Sequence, residues 1–116
     1  MAQAQSGARA CVITSTLQEM GTPTIVTDCL QGTRGVSRPQ IKERCEGVAW
    51  HAAAGLGKRS SALLKWVAQC PRQANAVCQG AFEGDFDIHY YNRTAAQLAA
   101  MAEQCDAEQG RWRQLD

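Results

Sequence analysis

The chain has 116 residues, twelve Lys+Arg against eleven Asp+Glu for a formal net charge of +1, and a 45% apolar content rich in alanine, which buries little area per residue. Near-neutral charge without a recognition motif argues against nucleic-acid binding, and no apolar run approaches the roughly 18 residues that cross a bilayer. Six cysteines with 17, 15, 24, 7 and 26 residues between successive ones exclude the closely spaced pairs of a structural zinc site and point to three disulfides in an exported protein.

In chain order, residues 1–9 read as a loose, flexible tail and 10–116 as a single disulfide-stabilised domain. Ala2-Gln3-Ala4 has the form of an export cleavage site, so a mature exported chain is expected, with Met1 supplied for expression. Two runs dominated by β-branched residues, Ala10–Thr16 and Thr24–Cys29, predict a β-hairpin turning near Met20. That turn would set Cys11 opposite Cys29, the disulfide expected first. Ser37 can cap a helix over Arg38–Ala54, with Pro39 in its first turn and Ile41, Cys45, Val48 and Ala52 on one stripe.

Gly55 and Gly57 end that helix. A second helix is expected from Ser60 or Ser61, with Leu63, Leu64, Val67 and Cys70 on its apolar side, and a short third over Ala74–Gln79. Gly80–Asn92 reads as irregular. Thr94 with Gln97 three residues on is a capping-box pattern that opens the last helix, whose core stripe is Leu98, Met101, Ala102 and Cys105 and which stops at Gly110. The expected fold is therefore α+β, mainly α: three to four helices with an N-terminal β-hairpin, held by Cys11, Cys29, Cys45, Cys70, Cys78 and Cys105.

Several segments invite a chemical reading. Gly57-Lys58 is like part of a phosphate loop, but the first glycine would fall at Ala52, Arg59 replaces Ser/Thr, and no strand precedes it. Asp85, Asp87 and His89 alternate, so an extended chain would turn all three to one side as weak candidate metal ligands; a solvated acidic loop is the plainer expectation. His51 and His89 are the only histidines, and no nucleophile elbow is present, so no catalytic residue, cofactor or firm metal site is expected. Asn92-Arg93-Thr94 has the acceptor form for glycosylation, although Thr94 is better explained as a helix cap.

Trp50 falls opposite the Ile41/Cys45/Ala52 stripe and is a candidate interface residue, together with Phe82, Phe86, Tyr90 and Tyr91. The charge is split: Arg34 to Arg72 carries eight basic residues against Glu43 and Glu46, while from Gln73 to Gly110 only Arg93 opposes six acidic ones. Such a dipolar surface can steer a charged partner.

The tail Tyr90-Tyr91-x-Arg93 … Leu98 … Cys105-x4-Gly110-x-Trp112 resembles the ends of small exported cysteine-containing proteins of Gram-negative bacteria, many without an assigned activity. The resemblance implies a periplasmic or secreted place and nothing catalytic. Size and cysteine content are also similar to those of periplasmic immunity proteins against secreted enzymes. The expectation is an exported, non-catalytic protein that binds another protein of unknown identity; an inhibitor of a secreted enzyme and a purely structural envelope component are the alternatives.

Overall fold

The computed structural model describes residues 8–19, 22–54 and 62–115. In chain order the elements are β1 (Ala10–Glu19), β2 (Thr22–Gly32), α1 (Arg38–Ala54), β3 (Ala62–Val67), β4 (Ala76–Ala81), β5 (Phe86–Tyr91), α2 (Ala95–Ala107) and β6 (Arg111–Gln114). The strands form one antiparallel sheet in the order β3-β1-β2-β5-β4-β6. Among the described residues the fold is mainly β with two helices, which corrects the mainly α expectation.

The hairpin and both outer helices stand where the sequence puts them. Ser37 and Gln40 cap α1 reciprocally: Gln40 N–H donates to Ser37 Oγ at 3.3 Å and Ser37 N–H to Gln40 Oε1 at 3.0 Å. Thr94 and Gln97 do the same for α2, at 3.2 and 2.9 Å. Of the expected tail, Ala8 and Arg9 are packed, with Arg9 donating to the carbonyls of Val36 and Thr33; residues 1–7 lie outside the described residues.

Three segments expected to be helical or irregular are strands. In β3, Leu63 is exposed while Leu64 and Trp66 pack on the core, an alternation that a strand makes and a helix does not. Most of Ala74–Gln79, expected as a short helix, belongs to β4, where Ala76 and Cys78 face the core with Val77 on the other side. Gly80–Asn92, expected as irregular, contains β5, a strand between β2 and β4 with Phe86, Ile88 and Tyr90 inward.

Across the six strands, Trp66, Cys11, Leu30, Ile88, Cys78 and Trp112 stand directly opposite one another and so share a face. Two half-cystines in this row reach the helices. Cys11 bridges Cys45 of α1 and Cys78 bridges Cys105 of α2, with Cα–Cα distances of 6.3 and 5.7 Å. Both helices therefore lie on the same side.

The other side carries the row Lys65, Val12, Cys29, His89, Val77 and Arg113. There Cys29 bridges Cys70 in the connection from β3 to β4, which crosses this outer face; Cys70 N–H donates to Gln31 Oε1 at 2.8 Å and the Tyr91 hydroxyl to the Pro71 carbonyl. The six cysteines thus form three disulfides, and the expected Cys11–Cys29 pair is not one of them. The hairpin pairs Glu19 with Thr22, which sets Cys11 opposite Leu30 and Val12 opposite Cys29. A one-residue offset in a strand reverses every side chain, so the two cysteines point to opposite faces.

Cys11, Cys29, Cys45, Cys78 and Cys105 share the deepest positions with Leu30, Ile41 and Val26. Gly110 joins α2 to β6 beside the Cys78–Cys105 bridge, and a Cβ there would run into both sulfurs. Gly110→Ala is expected to cost about 1–3 kcal/mol by overpacking, read as a lower urea midpoint; an unchanged midpoint would mean the bridge yields freely.

Candidate functional site

The two anchoring half-cystines stand three strand spacings apart, on β1 and β4, or about 14 Å. Helices in mutual contact pack at about 8–10 Å. Accordingly α1 lies over β3 and β1 and only touches β2, α2 covers β4 and β6, and a strip over β2 and β5 is left open. This strip is a cleft of about 610 Å³.

Its floor is the inner face of the two central strands, with Asp28, Leu30, Phe86, Ile88 and Tyr90. One wall is α1, through Glu43, Arg44, Gly47 and Val48; the facing wall is α2, through Met101, Gln104 and its C-cap Glu108. Phe82 and Asp85 of the β4–β5 turn close one end. The turn is held in shape: Phe82, Glu83 and Gly84 have φ of 55°, 65° and 90°, and the Thr33 hydroxyl donates to the Gly84 carbonyl at 2.8 Å.

Charge in the cleft is unevenly neutralised. The Arg44 guanidinium lies 4.2 Å over the Phe82 ring. Burial pushes the Glu108 carboxyl above its usual range, and Arg44 draws it back. At the floor, Arg93 Nη2 donates to Asp28 Oδ1 at 2.6 Å; the Arg93 side chain is 4% exposed and that of Asp28 25%. Burial raises the Asp28 pKa even with Arg93 beside it. The Arg93 guanidinium also lies 5.6 Å from the Tyr90 ring centroid, and its Nε is buried without a partner. Burial, then the Asp28 charge, pushes the Tyr90 hydroxyl well above the ordinary phenol value.

The candidate residues divide between the two faces. Phe82, Phe86, Tyr90 and Asp85 meet at the cleft, although Phe86 and Tyr90 belong to the core. Tyr91 lies on the outer face under the crossing connection. Asp87 and His89 also face outward, and Asp87 Oδ1 accepts from Gly80 N–H at 2.9 Å. Asp85, Asp87 and His89 therefore do not converge, and among the described residues no three His, Cys, Asp or Glu gather as a metal site. Trp50 is 66% exposed. It follows Glu43 by seven residues, two turns that bring it back within about 20° of the same azimuth, so it continues the α1 wall of the cleft. The His51 side chain and the Gly57-Lys58 segment lie outside the described residues.

As cleft residues, Asp28, Arg44, Gly47, Met101 and Glu108 escaped the sequence reading, which placed Met101 in the core stripe of the last helix and took Arg93 as a lone base, part of a glycosylation pattern and part of the tail motif. Two of these carried a signal. Arg93 is the single basic residue in an acidic stretch, and Gly47 interrupts the interior of a helix.

Removing one partner of a buried ion pair leaves the other charge stranded, at about 3–5 kcal/mol. Asp28→Asn and Arg93→Met are each expected to lose stability toward the lower end of that range, since Asp28 touches the cleft. Asp28→Asn combined with Arg93→Met should lose much less than the two single changes together. Strict additivity in urea denaturation would show that the pair is not coupled.

Burial lowers the His89 pKa below its ordinary 6.5, against the pull of Asp87. The unfolded chain then binds more protons, so the stability His89 contributes is present above pH 6.5 and is lost as pH falls through the folded value. The raised Asp28 and Glu108 values act with the opposite sign, so the effect is read as a difference. His89→Gln should flatten the fall in stability between about pH 7 and pH 5; parallel pH profiles would contradict this.

Compared with known proteins, the chain matches no family model, no curated protein and no solved structure.

Proposed function

We propose that this is an exported, non-catalytic protein that binds another protein, with the cleft between α1 and α2 as its seat. The observation that carries the reading is Gly47. A glycine inside a helix is roughly 1 kcal/mol worse than alanine. Among the described residues, and apart from its own turn of helix, no atom lies within 4 Å of where its Cβ would stand, so packing there gives no reason for a glycine. What the missing side chain leaves is an open wall facing the floor of Leu30, Ile88 and Tyr90.

Three further features support the reading. Trp50 extends the same wall and is exposed, and tryptophan is a favoured anchor of protein interfaces. Three disulfides are compatible with an oxidising compartment. No described helix is long and apolar enough to cross a membrane. The same cleft serves whether the partner is a secreted enzyme to be inhibited or an envelope component.

Gly47→Leu fills the cleft from one wall, and Trp50→Ala removes an anchor worth about 2 kcal/mol or more at an interface, near 30-fold in affinity. Gly47→Leu is not expected to lower the melting temperature, since its side chain enters open space. A partner captured by the parent protein from the exported fraction of its source should be lost with both variants. Equal capture by all three would overturn the assignment of the cleft.

A further inference from the structure

The cleft is not a plain apolar groove. Asp28 Oδ1 is engaged by Arg93, but Oδ2 accepts no hydrogen bond among the described residues, and the carboxylate lines the cleft. Tyr90 is 5% exposed and lines the same floor, and its hydroxyl also makes no hydrogen bond among the described residues. An apolar occupant would seal both groups away from water unpaired, which is costly for a hydroxyl and more so for a charge. An anion is disfavoured by the balance of charge. Asp28, Glu43, Asp85 and Glu108 line the cleft against Arg44, with Arg93 beside the floor, four carboxylates to two guanidiniums.

We infer that the cleft floor is a subsite for an arginine side chain of the bound partner, with the Asp28 carboxylate and the Tyr90 hydroxyl as its acceptors. The inference rests on the reading of the cleft as a binding seat. A guanidinium offers a planar fork of donors to Oδ2 and the hydroxyl together, and its weak hydration suits a half-enclosed site. Phe82, Tyr90 and Met101 supply aromatic and thioether surface for its flat face, and Arg44 over Phe82 already uses that contact at the rim. The bound cation also relieves the desolvation that Arg93 alone leaves at Asp28.

Three probes are titrated into the full ¹⁵N-labelled chain: the acetylated, amidated tripeptide Leu-Arg-Leu, its citrulline counterpart, and free arginine amide. Citrulline keeps the shape and removes the charge. The arginine tripeptide should shift the amides of β2 and β5 at the floor and bind at least about tenfold tighter than the citrulline one. Asp28→Asn should abolish most of that preference. Tyr90→Phe, which keeps the packed ring, should reduce it about threefold and remains informative if Asp28→Asn unfolds. Equal binding of both tripeptides in the cleft would overturn the cationic subsite and leave the binding seat standing. Arginine amide binding as tightly as the tripeptide would overturn the partner segment in favour of a small cation. No shift on the floor or walls with any probe would overturn the subsite and the seat together.

Discussion

Two sulfur bridges rooted in one row of the sheet fix the distance between the helices, and the remaining architecture follows from that distance. Cys11 and Cys78 are separated by β2 and β5. A small protein would ordinarily close such a gap by sliding its helices together over the apolar floor, since burial is favourable and non-directional. Covalent anchors on the flanking strands oppose that collapse. The third bridge acts on the opposite face, holding the long crossing from β3 to β4 against β2 through Cys70. The bridges therefore do more than compensate for an alanine-laden interior: they divide it into a sealed part and an open part.

The open part carries the unusual electrostatics. A fully sealed core would have little tolerance for Asp28 and Arg93, because pairing two charges rarely recovers the cost of dehydrating them. Here the arginine is nearly enclosed while the carboxylate keeps an edge in the cleft. Tyr90 sits between these regimes, its ring packed against Trp112 at 5.6 Å while the residue also lines the cleft floor. Floor and core are thus two sides of the same residues, so the cleft floor is built on the packed sheet itself.

The hairpin and two helices of this arrangement were legible in the sequence, and the rest was not, for physical causes. Caps announce helices by local chemistry, so Ser37 with Pro39 identified α1 and Thr94 with Gln97 identified α2. The β-branched runs identified the hairpin. The stretch at Leu63-Leu64 satisfied a helical and a strand template alike, and only pairing with β1 decides between them. In β5 the alternation of Phe86, Ile88 and Tyr90 with Asp87 and His89 was present, but the polar partners and the neighbouring glycines made it look like a loop. The cleft itself was invisible because it depends on strand order: Asp28 and Arg93 are 65 residues apart and meet only when β2 lies beside β5. The aromatic segment was recognised as important without any means of telling its wall from its floor.

The parity of the first hairpin also bears on how the chain matures. Neighbouring strands of a hairpin zip in microseconds, whereas thiols oxidise over seconds to hours. By the time an oxidant arrives, Cys11 and Cys29 already look away from each other across the pleat. The most accessible scrambled bridge is thereby denied to the nascent protein, and each sulfur is left waiting for a mate delivered only when α1 and the β3–β4 crossing arrive. Wherever the hairpin is formed, its register thus works against that particular mispairing.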